Sequence, residues 1–199
     1  MKKLSLLLSV FLVAAISYSQ TKTYADSLKI HIDNYIKTHG VVKGENRKYL
    51  QFFPITEKFR ITGRFERTEN SPWFMMETSG PVKKSHRMYG KVYFTINDTA
   101  VTLCIYQSQD LMKTKEYKDY LFIPFIDAAA GEATYESGRY IDLTIEDINN
   151  KSYVVDFNKA YNPYCAYVSN VYNCPVPPKE NWISVSILAG EKKYAKSHE

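Results

Sequence analysis

Lys91-Val-Tyr-Phe-Thr-Ile-Asn-Asp-Thr-Ala-Val-Thr-Leu-Cys-Ile-Tyr106 is the stretch that decides the fold. Val92, Phe94 and Ile96 alternate through Lys91–Asn97, the period of a strand with one buried face. Asn97-Asp98 supplies turn residues, and Ala100–Tyr106 returns as a second strand, so the stretch predicts a hairpin. The same reading extends outward. Phe59, Ile61 and Phe65 alternate through Lys58–Arg67, and Trp73–Thr78 is a short apolar run. Leu121–Ile126 reads as a buried strand in which Pro124 argues for an edge or a bulge. Tyr140–Ile145 and Tyr153–Phe157 flank Glu146–Lys151, whose Asn149-Asn150 pair suits a turn. Trp182–Leu188 reads as the last strand, with Ile183, Val185 and Ile187 on one face.

About eight strands with short connections predict a mainly β, antiparallel barrel or sandwich. There is no βαβ alternation, and so no doubly wound nucleotide fold. One helix precedes the strands, over Thr23–His39. Leu28, Ile32, Tyr35 and Ile36 form its apolar stripe. Asp26 lies near its start, Lys37 and His39 near its end, and Gly40 follows as a stop. Gly40–Lys48 is polar and reads as loop.

The chain has 199 residues, 45% of them hydrophobic and 24% charged. This excludes a disordered class and gives one domain's worth of chain. Its beginning is tripartite: Lys2-Lys3, an apolar run from Leu4 to Ile16, then Ser17-Tyr18-Ser19. This pattern predicts a secretory signal peptide over 1–19, cut before Gln20. The apolar run is short of the ~20 residues of a membrane span. An uncleaved N-terminal anchor is the alternative. Cleavage would leave 24 basic against 21 acidic residues, a net charge of +3. Lys and Arg are scattered, with no concentrated basic face, which sets nucleic-acid binding aside. The expected organisation is therefore a leader, a helix and loop over 20–48, a β-domain over 49–194 and a charged tail over 195–199. The expected location is the bacterial periplasm or the exterior, with no membrane-spanning segment in the mature chain.

Special residues concentrate after position 120. Gly131 and Gly138 bracket Thr134-Tyr135 and lead into Arg139-Tyr140, the pattern of a tight connection. Arg139 is placed to pair with Asp127 or Asp156, as a structural ion pair or as an anion clamp. Pro163 restrains Asn162 in Tyr161-Asn162-Pro163-Tyr164-Cys165. Cys165 and Cys174 stand nine positions apart; in an exported chain such a pair predicts a disulfide, worth ~2.5–3 kcal/mol in the chain-entropy model. A metal site there would need more ligands, and no cofactor is implied. Pro175, Pro177 and Pro178 make a stiff lead into Asn181. Cys104, inside a strand, reads as a small buried hydrophobe.

Taken together, these motifs resemble the bacterial family catalogued as domain of unknown function 1684. The resemblance is carried by Phe125-x-Asp127-Ala128, Gly131, Thr134-Tyr135, Gly138-Arg139-Tyr140, Asp156-Phe157-Asn158, Tyr161-Asn162-Pro163-x-Cys165, Cys174-Pro175-x-Pro177-Pro178, Asn181 and Ala189-Gly190-Glu191-Lys192. It covers Tyr49 to Tyr194 and includes Phe53-Pro54 and the stretch from Ser79-Gly80 to Tyr89-Gly90. The chain departs from it at Ala129 and Ala130, where the family carries hydroxyls, and at Ala133, where it carries an acid; Glu132 is shifted by one. The resemblance implies a shared unit without an agreed activity. It also keeps a metal or thiol role open for the cysteine pair.

Neither a Gly-x-Ser-x-Gly elbow nor a His-Glu-x-x-His motif is present. Asp127, Asp142, Asp156 and Glu191 are the acid–base candidates. Two functions are expected from different classes. One is a binding domain for a small polar ligand, since small β-barrels hold ligands in their mouths and the Tyr-rich region with Arg and Asn handles suits a polar organic molecule. The other is a hydrolase-like enzyme using Asp127 and Asp156 with Arg139 as charge stabiliser. An envelope scaffold without a pocket is a third. The sequence leaves the oligomeric state open.

Overall fold

The computed structural model describes residues 22–149 and 151–196. The leader expected over 1–19 lies outside these residues, as do Asn150 of the expected turn and the end of the charged tail.

Helix α1 spans Tyr24–Thr38. Thr23 caps it: its hydroxyl accepts from the Asp26 N–H, and the Asp26 carboxylate takes the Thr23 N–H in return. The stripe faces the domain through Leu28, the helix's buried residue. Gly40 is not a left-handed terminator. The helix ends in extended backbone at His39, and Gly40 instead makes room for the Tyr164 ring, which a Cβ at that position would strike.

Seven strands follow: β1 Arg60–Arg67, β2 Phe74–Met76, β3 Lys84–Ile96, β4 Thr99–Ser108, β5 Tyr120–Phe125, β6 Arg139–Thr144 and β7 Ser152–Asp156. They form one antiparallel sheet in the order β6-β5-β4-β3-β1-β7, with β2 added alongside β3. The sheet curls into a half-barrel and is mainly β, as the alternating pattern requires. The β3/β4 hairpin turns at Asn97 and Asp98, with φ of 47° and 59° and Ile96 opposite Thr99. Two successive left-handed residues match the right-handed strand twist, which explains the Asn-Asp pair.

Alternation along β4 serves two apolar layers. Leu103 and Ile105 join the main core with Val92, Ile123, Phe125, Val155 and Phe157. Cys104 and Tyr106 join a second cluster with Met76, Phe122 and Tyr140. Both faces of the central strand are thus closed, and Cys104 is a buried free thiol.

Besides Gly40, two sequence expectations require correction. Trp182–Leu188 is not a strand, which is why the count is seven. Its alternation is real, since Val185 and Ile187 are buried, but its backbone pairing is limited to an isolated parallel bridge with Ile126, just beyond β5, and the Ala128 N–H donating to the Val185 carbonyl. Side chains, Arg139 first among them, take over much of the ladder's role. Pro124 lies in neither an edge strand nor a bulge. β5 runs between β4 and β6, with Pro124 opposite Tyr140. The Tyr140 N–H and carbonyl are both used by Tyr161. Pro124 therefore occupies a position where β6 needs no N–H from it. On its other side β4 and β5 splay apart, sharing only Tyr106 opposite Phe122.

Candidate functional site

Arg139 opens β6 and is 1% exposed. Its guanidinium replaces the missing strand partner of the last segment. Nη1 donates to the carbonyls of Ala189 (2.5 Å) and Glu191 (2.9 Å), and Nη2 to that of Ile187 (2.9 Å). Alternate carbonyls of an extended chain point the same way, so one planar fork can serve three of them. Nη2 also meets Asp127 Oδ2 at 2.8 Å. Asp127 in turn accepts from the N–H groups of Ala129 (2.8 Å) and Ile187 (3.4 Å) and from the Thr134 hydroxyl (3.3 Å). Gly190 has φ of 74°, and a Cβ there would meet the Ala160 carbonyl oxygen at 2.5 Å. Of the two partners the sequence offers Arg139, the structure selects Asp127. Both Nη groups of the guanidinium are taken by the protein, while its Nε is buried without a hydrogen-bond partner among the described residues.

Asn181 performs the same service for the splayed strands. Its side-chain oxygen accepts from the Cys104 N–H (2.7 Å), and its amide donates to the carbonyls of Cys104 (2.9 Å) and Pro124 (2.7 Å). The proline run that delivers it is anchored by the Tyr140 hydroxyl donating to the Pro175 carbonyl. Cys165 and Cys174 form a disulfide with Cα atoms 6.3 Å apart. Ser79 Oγ lies 2.9 Å from Cys165 Sγ and accepts from the Cys174 N–H at 3.1 Å.

Glu191 is buried below α1. Its carboxylate takes the Asn162 N–H (2.8 Å), the Tyr167 hydroxyl (2.7 Å) and the Tyr35 hydroxyl (3.1 Å). Burial pushes this carboxyl up to about 7, against the lowering pull of those donors and of Arg139. Asn162 also donates to the Lys192 carbonyl at 2.8 Å. The Lys192 ammonium stands 5.2 Å over the Phe53 ring. His39 packs edge-on to Tyr167, with ring centres 4.6 Å apart. Its Nδ1 accepts from the N–H groups of Val41 and Val42. Burial, with Lys43 and Arg47 nearby, lowers this imidazole to about 4, so it is neutral. Tyr135 is half-buried against the small cluster of Val42, Leu50, Ala166 and Tyr167. Sequence reading placed Glu191 and Asn162 among the site candidates, Tyr35 only on the helical stripe and His39 only at the helix end. The place of Tyr35 on the helical stripe was the available signal.

Asp156 belongs to a different network. Its Oδ1 accepts from the Tyr24 hydroxyl (2.9 Å), the Asn158 N–H (3.2 Å) and the Asn158 amide (3.1 Å). Asn158 is fixed by Thr56 in both directions, accepting its N–H at 3.1 Å and donating to its carbonyl at 2.9 Å. Asp156 and Asp127 share no hydrogen-bond partner among the described residues, and Arg139 serves only the second. Asp156 lines an open pocket of ≈ 170 Å³ at the seam of the half-barrel, where β6 and β7, the outermost strands, contribute facing walls. Its other walls come from Arg60, Ile141, Asp142, Asp147, Tyr153, Val154 and Lys159. Asp142 Oδ1 accepts the hydroxyls of Tyr120 and Tyr161, each at 2.8 Å. Of this lining, Asp142 and Asp156 stood out in the sequence. Arg60, Asp147, Tyr153 and Lys159 did not, because only the closing curl of the sheet brings them together. No group of three or more His, Cys, Asp or Glu side chains among the described residues is arranged to hold a metal ion. No helix among them is long and apolar enough to cross a membrane.

An antiparallel half-barrel, clamped internally by one arginine and open along one seam, defines the class of this β-domain. The chain belongs to the family described as protein of unknown function, DUF1684, whose model matches residues 46–192. Helix α1 precedes the matched segment. Among solved structures, the chain is similar to the solution NMR structure of an uncharacterized protein from Haloarcula marismortui, with 25% identity and a TM-score of 0.65. That match covers 86% of this chain and 95% of the other. No curated protein matches.

Proposed function

We propose that this protein is an exported β-domain that binds a small polar ligand in the seam pocket. The observation that carries the reading is the pocket itself: a concave opening in which charged side chains from strands and turns on both sides converge on a rigid frame. Tyr120 and Tyr161 brace Asp142, while Tyr24 and Asn158 brace Asp156. Side chains held by their own neighbours bind without a large ordering cost. Export is supported by the N-terminal pattern Lys2-Lys3, apolar run, Ser17-Tyr18-Ser19. The Cys165–Cys174 disulfide fits an oxidising compartment. Nothing favours a carboxylate hydrolase: the Nη donors of Arg139 go to three carbonyls and Asp127, and Asp156 sits in another network.

The mature protein recovered from its native compartment tests both halves. Its intact mass should match a chain beginning at Gln20 with one disulfide. Titration with small sugars and amino compounds should shift amide resonances of 141–156. A mass retaining residues 1–19 would overturn export, and an unperturbed seam across that panel would overturn binding.

A further inference from the structure

The lining of the seam pocket carries more chemical detail than polarity, and the ligand class it defines rests on the binding proposed for that pocket. Three carboxylates line it, and each is fixed through one oxygen only. Asp142 uses Oδ1, for Tyr120 and Tyr161. Asp156 uses Oδ1, for Tyr24 and Asn158. Asp147 uses Oδ2, for the N–H (2.6 Å) and hydroxyl (2.9 Å) of Thr144. Asp142 Oδ2, Asp156 Oδ2 and Asp147 Oδ1 have no hydrogen-bond partner among the described residues. The lining thus includes three carboxylates that are each held in place and keep one oxygen without a hydrogen bond.

An independent observation comes from Tyr153. The ring is buried in the main core and the residue is only 6% exposed, while its hydroxyl is open to solvent and has no hydrogen-bond partner among the described residues. It lines the same pocket. Burial raises this phenol, and Asp147, Asp156 and Asp142 raise it further, in that order. All three carboxylates therefore act on one unpartnered hydroxyl at the pocket wall.

The two cations are placed unevenly. Arg60 is directly opposite Asp156 in the β1/β7 register and holds its guanidinium 5.2 Å over the Tyr24 ring. Lys159 ends the short turn that Asp156 caps. Arg60 and Lys159 are thus nearest to Asp156 by register and turn, with no ion pair to it among the described residues, while Asp142 and Asp147 lie on β6 and just beyond it. Three carboxylates against two cations leave the lining one negative charge in excess, on the Asp142/Asp147 side.

From this arrangement we infer that the seam pocket binds a small hydroxylated primary amine, with an amino sugar as the fitting class. The ammonium is placed against Asp142 and Asp147, where negative charge is unmatched. Hydroxyls are placed toward Asp156, Arg60 and Lys159, because only a group that both donates and accepts satisfies a carboxylate beside two cations. The Tyr153 hydroxyl bonds the ligand between the two ends. A volume of ≈ 170 Å³ is small against the ~300–1,000 Å³ of pockets for drug-sized ligands, which limits the occupant to about one sugar ring.

The test titrates the full mature chain with glucosamine, glucose and glucuronate, followed by amide NMR at neutral pH. Glucosamine should shift resonances of 141–156 and bind roughly tenfold or more tightly than glucose, with glucuronate weakest. Its affinity should fall as salt is raised, since the discriminating term is charge. Tyr153→Phe keeps the buried ring, and Asp147→Asn keeps an oxygen for the Thr144 cap. Each should weaken glucosamine by roughly fivefold or more while leaving the melting temperature close to that of the parent. Equal or tighter binding of glucose or glucuronate at these residues would overturn the amine assignment and leave the binding pocket standing. Absence of any shift at the seam with all three sugars would overturn the amine assignment and count against the pocket as well.

Discussion

Two polar regions of this molecule use the same residue types for opposite ends. Around Arg139 the Nη donors are spent inside the fold: three carbonyls of the last segment and the Asp127 carboxylate take them. At the seam, Asp142, Asp147 and Asp156 are each tied down by one oxygen and keep the other free. The first arrangement lets a segment without a strand partner join the core. The second, if the proposed binding holds, prepares a surface for something outside the chain. The difference shows that density of distinctive residues in a sequence marks where backbone needs side-chain partners, and that a pocket can form from residues with no motif at all.

The largest effect that bears on this comparison is at the clamp. Arg139→Met should destabilise the protein by about 3–5 kcal/mol in urea denaturation, since it leaves the Asp127 charge buried and three carbonyls without a donor. Asp127→Asn added to it should recover part of the loss. A single variant as stable as the parent would break the contrast, because Arg139 would then be no scaffold.

Glu191 sharpens the same point through pH. Its carboxyl is raised by burial from 4.5 to about 7, so the folded protein holds a proton that the unfolded chain has released. Between these values the folded state binds more protons, and this group's contribution to stability falls as pH rises, by on the order of 3 kcal/mol in all. His39, lowered to about 4 from 6.5, acts in the opposite sense over an overlapping window. The two slopes offset each other in the parent. Glu191→Gln should therefore show a stability, relative to the parent, that grows from pH 4.5 to 7 in melting experiments. A pH-independent difference would contradict a protonated Glu191.

The Cys165–Cys174 disulfide comes next. Replacing both cysteines by serine should cost roughly 2.5–3 kcal/mol, read as a lower denaturation midpoint, with the seam still able to bind glucosamine. The smallest effect on stability belongs to Tyr153→Phe, which should change unfolding by less than about 1 kcal/mol because the ring and its packing remain. A large loss of stability there would move Tyr153 into the scaffold and blur the distinction between the two regions.

Much of the fold was legible in residue patterns. The Val92-Phe94-Ile96 alternation, the Asn97-Asp98 turn and the Leu28-Ile32-Tyr35-Ile36 stripe depend on local periodicity, and the structure follows them. Trp182–Leu188 shows where periodicity stops being informative. Its alternating Val185 and Ile187 are buried as a strand's would be, but alternation reports the burial of side chains and not the identity of the backbone's partner. The backbone of Ile126 and Ala128 serves the segment's first half, and the side chains of Arg139, about fifty positions earlier, and Asp127 serve it at Ile187. Pro124 misleads for a related reason: whether a proline is tolerated depends on which way its nitrogen faces, and the Asn181 side chain fills the gap. The Arg139–Asp127 pairing was available as one of two choices. The seam pocket was not, because Arg60, Asp147, Tyr153 and Lys159 are separated along the chain and meet only when the sheet curls.

Amide hydrogen exchange on the full mature chain, with and without glucosamine, tests the contrast most directly, because both regions are read at once. Protection of the Ile187 and Asn162 amides, which donate to Asp127 and Glu191, should equal that of the β4 core and be unchanged by the sugar. Amides of 141–156 should slow on its addition. Rapid exchange at Ile187 and Asn162, or added protection there in place of the seam, would contradict the division between scaffold and binding surface.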